Sequence, residues 1–234
     1  MYKQTAKYYD KVYSWKDYKS ESGKIHSLIK KYKNSPGREM LDVACGTGNH
    51  IEYLKKYYTI TGIDLDKDML KVAKKKFPDM KFHNSDMRKF DLNKQFDVIV
   101  CLFAAIAHIT SKSQLKRTIK NFAGHLKAGG VLIFEAFITP GTFEPNLVHA
   151  VYVNEPDLKI YRVNVTRRKQ NIAYIDFHIL VADKKGVKYI TENHQLAMYE
   201  HKDFLDIMKS EGLKSGYLKE GLMANRGLYV GVKK

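Results

Sequence analysis

The sequence predicts an α/β fold, a mostly parallel sheet with helices on both faces, interrupted by an antiparallel β insertion. Three observations predict it. From residue 39, short apolar runs alternate with amphipathic stretches of helical period, the rhythm of a parallel sheet buried on both sides. The first run, EMLDVAC (39–45), ends in a glycine pair, Gly46 and Gly48, where the backbone comes close to something. After residue 138 the rhythm changes to longer, partly alternating segments separated by turn residues, as in antiparallel hairpins.

Each element follows in order. Residues 1–38 carry Tyr8, Tyr9, Tyr13, Trp15 and Tyr18 and read as two helical segments, 4–14 and 17–33, before a turn at 34–37. Strands are predicted over 39–45, 59–65, 81–86, 96–103 and 130–137. Helices are predicted over 48–57, 67–77 and 112–127, the last stopped by Ala128-Gly129-Gly130. Residues 139–145 form a loop, and strands follow at 161–169, 171–183 and 187–199. A helix over 200–213 and strands over 214–220 and 227–233 close the chain. The expected organisation is a helical lid (1–38), an α/β core (39–138 and 200–234) and an antiparallel insertion (139–199).

Bulk composition narrows the class. A chain of 234 residues with 44% apolar content is one large domain, or a domain with an insertion. Its 41 basic and 25 acidic residues leave a net charge of +16, which favours anionic partners. The lysines are scattered as on solvated helix faces, and no arginine-rich tract or aromatic RNA motif supports dedicated nucleic-acid binding. No apolar run is long enough to span a membrane, and the polar N-terminus lacks a signal-peptide core, so a soluble cytoplasmic protein is expected. Cys45 and Cys101 end apolar runs outside any metal spacing, and no metal is expected.

In an open parallel sheet, ligands sit beyond the carboxyl ends of the strands. Four features fall there: the glycine pair, Asp64 (18 residues after Gly46), Ser85-Asp86-Met87 and Cys101-Leu102-Phe103. A dinucleotide motif's third glycine is missing, since position 51 is Ile, and so is a phosphate-binding lysine. Asp42 adds a second acid near the glycines. The ligand therefore offers a ribose and a base without pyrophosphate on the first helix, and an acidic site suits an ammonium or sulfonium. Plainer readings stand beside these. The glycines could serve helix–strand packing, Asp64 and Asp86 could be turn or cap residues, and His125, His178 and His194 could be packed structural histidines. Tyr13 and Trp15 could belong to a packing face, and Arg226 could simply pair with a carboxylate. His50 and His108 read as ordinary polar residues at helix starts.

The segments DVACGTGNH, GIDLDKDML, NSDMRKFDL, FDVIVCLF and FAGHLKAGGVLIFE together resemble the S-adenosylmethionine-dependent methyltransferases with a seven-stranded, Rossmann-like sheet. The likeness is closest to the deoxyamino-sugar N,N-dimethyltransferases of the desosamine and mycaminose type. They share LDVACGTG, the SDMRKF-like segment, the FAxHLxxGG stretch, a loop that reads Glu135, Pro140 and Thr142-Phe143 here, and a C-terminal RGL-V-GV stretch that reads Arg226-Gly227-Leu228 here. The resemblance implies S-adenosylmethionine and no metal. It places Ala44, Gly46 and Gly48 at the methionine moiety, and Asp64 on the ribose hydroxyls. Leu65, Met69, Asp86 and Met87 would surround the adenine, and the Cys101 carbonyl would face the ammonium. Tyr13, Trp15 and Tyr18 would close over cofactor and substrate. Tyr13 and His125 would position and help deprotonate the acceptor amine, histidine having the suitable pKa range. Arg162, Tyr174, His178, His194 and Arg226 would hold the acceptor, with arginine suited to a diphosphate by its bidentate fork. The acceptor expected is a small, anionic, nucleotide-linked amino sugar, and the family likeness points to a homodimer. RNA, a protein, another small amine, or cofactor binding without catalysis are the alternatives. The shortened segment before Tyr18, Ala104-Ala105 in place of serines, and Ala136-Phe137 in place of an aromatic pair all fall on the acceptor side.

Overall fold

The computed structural model describes residues 4–234. A seven-stranded sheet forms the centre. In chain order its strands are β1 (Glu39–Val43), β2 (Thr59–Asp64), β3 (Lys81–Asn84), β4 (Phe96–Cys101), β5 (Leu126–Glu135), β10 (Leu213–Leu218) and β11 (Leu228–Lys233). Their spatial order is β10-β11-β5-β4-β1-β2-β3, parallel throughout except for β11, which runs against both of its neighbours. The chain winds outward from β1 to β3 and then returns to β4 on the other side of β1. That reversal opens a crevice at the carboxyl ends of β1 and β4, the usual ligand position in such a sheet.

Alternation along the strands divides the core in two. Leu41, Val43, Ile99 and Cys101 join Leu115, Ile119 and Phe122 of α5 (Lys112–Gly124) and Phe204 of α6 (His201–Ser210). Met40, Val98 and Val100 point the other way. They meet Ile25 and Ile29 of α2 (Tyr18–Tyr32), Ile51 and Leu54 of α3 (Ile51–Leu54) and Leu70 and Ala73 of α4 (Lys67–Lys76). Both faces of β1 and β4 are therefore buried, which explains why their residues other than Glu39, Asp42 and Asp97 are apolar.

The insertion forms a second sheet of β6 (Val148–Glu155), β7 (Leu158–Lys169), β8 (Ile172–Asp183) and β9 (Gly186–Ala197), all antiparallel. β6 is an addition to the three strands that the sequence predicts here. Val148–Glu155 contains His149 and Asn154 and becomes a strand by pairing with β7 over eight residue pairs. The expected helix over 48–57 contracts to four residues, because Gly48 is left-handed (φ 81°) and turns surround it. The expected helix over 4–14 is a 3-10 turn (Ala6–Tyr8) followed by α1 (Tyr9–Val12). β5 begins earlier than expected, at Leu126, which pairs with Phe96 across a register shift. Among the described residues no helix is long and apolar enough to cross a membrane.

Asp97 anchors the amino end of the sheet. It is fully buried and accepts hydrogen bonds from the amides of Gly37 and Glu39 at 3.1 and 3.0 Å and from Lys127 at 2.8 Å. Asp97→Ala leaves two backbone donors unpaired and is expected to cost about 2–4 kcal/mol. Urea unfolding would show this as a lower midpoint with an unchanged slope.

Candidate active site

The glycine loop leaves β1 through three left-handed residues, Ala44, Gly46 and Gly48. A Cβ on Gly48 would lie 2.8 Å from the Phe77 ring, so the position requires glycine. The loop is held by Asp64, the last residue of β2. One carboxylate oxygen accepts from the Gly46 amide and the other from the Asp66 amide, both at 2.8 Å. Asp66 in turn caps α4, accepting from Asp68 and Met69. Met69 is buried, and its methyl group supports Gly46.

Asp42 lies under the loop and is buried. Burial, reinforced by the nearby Asp64 charge, raises its pKa to about 8. Burial also raises the Asp64 pKa, against the pull of its amide hydrogen bonds, and raises the Cys101 thiol. A cavity is lined by Asp42, Ala44, Cys45, Gly46, Thr47, Asn49, His50, Leu102, Phe103, Tyr9 and Tyr18. Among the described residues no basic side chain but His50 lines it, and the one acid present, Asp42, suits a cationic ligand rather than a phosphate. Beside it, Asp86 is held by Arg88 through its side chain and backbone, and this lowers its pKa. Met87 is half-buried against the core, and Leu65 is exposed at the rim.

Residues 4–17 cover this loop. Thr47 donates to Asp10 at 2.5 Å, and Lys76 bonds the same carboxylate at 3.0 Å. Tyr13 is buried, with its ring 4.6 Å from Tyr9 and edge-on to Phe103 at 5.2 Å. Trp15 is mostly exposed beside it. Tyr18 meets the His50 ring edge-on. Lys16 bonds Glu21, whose other oxygen pairs with His50 at 2.8 Å. Burial opposes ionisation of Glu21, but the His50 and Lys16 hydrogen bonds prevail and keep its pKa low.

The second sheet closes the other side. Arg162 of β7 is buried, with its guanidinium 4.8 Å from the Tyr13 ring and 4.5 Å from the Phe177 ring. Its Nε finds no partner among the described residues. His194 of β9 is buried on the same inner face, against Phe177 and 5.8 Å from the His108 ring. Arg226 lies over Phe103 and Phe137.

Three predicted residues fall elsewhere. His125 caps the carboxyl end of α5, and its carbonyl accepts from the amide of Phe96 at the start of β4. It therefore sits at the amino end of the sheet, roughly 17 Å of strand away from the crevice at 3.3 Å per residue, packed on Phe90. A base role at the crevice is excluded for it. Tyr174 and His178 alternate with the buried Ala173 and Ile179 and so face outward, His178 against Tyr189.

Two residues of the crevice went unassigned by sequence reasoning. His108 belongs to a 3-10 turn (Ala105–His108) directly after β4, and burial together with His194 lowers its pKa to about 4. Its position just past a carboxyl strand end was the available signal. Glu135 ends β5, is fully buried, and has neither carboxylate oxygen bonded among the described residues. A charge at the end of an apolar strand was the signal there.

A doubly wound sheet with a glycine loop after β1, an acid at the end of β2 that grips that loop, another acid after β3 and no phosphate-binding lysine defines an S-adenosylmethionine-dependent methyltransferase. Comparison with known proteins agrees. Residues 40–130 match the methyltransferase domain family. The chain is 34% identical over 219 residues to the dTDP-3-amino-3,4,6-trideoxy-alpha-D-glucopyranose N,N-dimethyltransferase of Streptomyces venezuelae, covering 93% of this chain and 92% of that protein. A sugar N-methyltransferase from Streptoalloteichus superposes with a TM-score of 0.90 at 29% identity, over 97% and 92% of the two chains. An amino pentose methyltransferase from Micromonospora echinaspora, solved with S-adenosylmethionine bound, gives 0.83 at 28% identity, over 94% and 92%. The chain belongs to the family of the amino-sugar N,N-dimethyltransferases.

At pH 7 most of Asp42 carries its proton, and an arriving cation favours the carboxylate. S-adenosylmethionine binding should therefore release a proton and tighten as pH rises toward 8. Calorimetry at pH 7 in buffers of different ionisation enthalpy would show buffer-dependent heats for the wild type and buffer-independent heats for Asp42→Asn.

Proposed function

We propose that this enzyme methylates the amino group of a dTDP-linked deoxyamino sugar. The observation that carries this reading is Arg162, a buried guanidinium between two aromatic rings with an unbonded Nε, on the inner face of the second sheet. A fixed, desolvated arginine suits a diphosphate, and the relatives' printed names specify dTDP-amino sugars. When bound, S-adenosylmethionine supplies a methyl group already activated on a sulfonium, so the protein's task is alignment and exclusion of water.

In this reading Asp64 holds the ribose, Gly46 and Gly48 admit the methionine end, and Asp42 answers its positive charge. Leu65, Met69, Asp86 and Met87 surround the base. Tyr13, Tyr18 and Trp15 act as a lid from residues 4–38, and the insertion acts as the acceptor lid. His108 is kept uncharged by burial and offers a neutral hydrogen-bonding edge to the sugar, with His194 packed beside its ring. A nucleotide-sugar acceptor fits a cytoplasmic setting. The test is turnover with a dTDP-3-amino-deoxyhexose against total RNA. Methylation of the sugar alone is expected, and Arg162→Met should raise KM at least tenfold with little change in cofactor affinity. Methylation of RNA alone would overturn the reading.

The enzyme is further proposed to work as a homodimer through the outer face of the second sheet. Among the described residues, Trp15 and Leu65 are the only exposed large apolar side chains outside 147–189. Tyr152, Tyr161, Leu180 and Tyr189 stand in register across all four strands, beside a row of Ala150, Val163, His178 and Thr191. On a chain of net charge +16, two rows without a lysine or arginine offer the approach of least repulsion to a second copy. Light scattering should give a dimer mass for the wild type and a monomer for Tyr161→Lys combined with Tyr189→Lys. A monomeric wild type would overturn this.

A further inference from the structure

An amine attacks carbon only through a free lone pair, so an acceptor that arrives as an ammonium must first lose a proton. His125, at the amino end of the sheet, cannot take it. The other acids around the crevice are engaged. Asp64 holds two amides, Asp86 holds Arg88, and Glu21 holds Lys16 and His50. Asp42 lies under the glycine loop on the cofactor side.

Glu135 differs from all of these. It stands at the carboxyl end of β5, the strand beside β4, and has no exposed surface. Neither of its oxygens is hydrogen-bonded among the described residues. An ion left in such a position is costly unless a partner arrives. Its charged neighbours do not fill the need. Lys16 is committed to Glu21 while over the Phe103 ring, and the Arg226 guanidinium lies over Phe103 and Phe137. Arg226 and Lys16, the two cations that act on Glu135, both lie over Phe103, and Phe103 touches Tyr13 and lines the cavity beside the glycine loop, so Glu135 borders the same aromatic wall.

We propose that Glu135 receives the ammonium of the acceptor and takes its proton. The inference rests on the amino-sugar reading above. In the step, an N–H bond of the ammonium breaks with its electron pair staying on nitrogen, and an O–H bond forms on the Glu135 carboxylate. Nitrogen becomes a neutral amine, and Glu135 becomes a neutral acid, the form that burial favours. Arg226, Lys16 and the Ala104 amide pull against the rise in its pKa, Glu21 adds to it, and the burial of the carboxyl prevails. Each further methylation starts from a protonated product amine and needs the same exchange, once Glu135 has passed its first proton to water.

The test compares wild type with Glu135→Gln, which keeps the shape and removes the charge. Each is titrated calorimetrically, in the presence of S-adenosylhomocysteine, with a dTDP-3-amino-deoxyhexose and with its 3-hydroxy counterpart. The wild type should prefer the amine at least tenfold at pH 7, and Glu135→Gln should bind both alike with unchanged affinity for S-adenosylhomocysteine. Single-turnover methylation by Glu135→Gln should fall at least 100-fold at pH 7 and recover as pH rises and solvent deprotonates the amine. An undiminished preference for the amine, or a rate within threefold of wild type, would overturn the inference. Equal loss of both ligands would mark Glu135 as a hydroxyl contact and overturn it too. Failure of the wild type to bind either nucleotide sugar would instead remove the amino-sugar reading, and this inference with it.

Discussion

One carboxylate organises the cofactor side. Asp64 ends β2 and spends each oxygen on one backbone amide, that of Gly46 in the loop after β1 and that of Asp66 before α4. A half-buried carboxylate accepting two amides satisfies donors that would otherwise be stranded, so loop, strand and helix start are positioned together. Asp66 can then cap α4, and α4 brings Met69 under Gly46 and Phe77 against Gly48. The arrangement has an electrostatic cost. Burial raises the pKa of Asp42, and the Asp64 charge close by raises it further. A site built for a cation carries this repulsion until the cation arrives, and in its absence a proton on Asp42 relieves it.

The acceptor side is reached through the same short segment. Residues 4–17 touch the glycine loop through Asp10 and Thr47 and touch the second sheet through Tyr13 and Arg162. Tyr8, Val12 and Tyr13 share a buried cluster with Ile160, Ile179, Val181 and Ile190 of that sheet. Cofactor loop and insertion are thus linked by one set of aromatic and apolar contacts. The Lys16–Glu21–His50 chain adds a buried polar tie from this segment through α2 to the residue preceding α3. Such a tie is fully satisfied only when the segment lies down on the core.

Much of this was readable from pattern. The largely apolar runs of β1 and β4, each broken by one aspartate, announced strands buried on both faces, and the glycines, Asp64 and Asp86 fell at carboxyl ends as their positions required. β6 was not readable, because Val148–Glu155 becomes a strand by pairing with β7. The two faces of the second sheet were not readable either. Period two separates Arg162 and Ile179 from Val163 and His178, yet both sets hold apolar and polar residues. Likeness to a family misled at His125, which belongs to a helix end, while His108 sat unassigned after β4.

The sequence by itself determined the parallel α/β core, the glycine loop, the acids at the carboxyl ends of the strands and the presence of an antiparallel insertion. Each is a local matter of period, turn chemistry or spacing, and local chemistry is written in neighbouring residues. Only the tertiary structure decided which face of the insertion looks inward, how the N-terminal aromatics lie across both sites, and that Glu135 ends buried with its oxygens unbonded. Those outcomes depend on which surfaces meet across a hundred residues or more of chain, and burial and hydrogen bonding are settled only when they do.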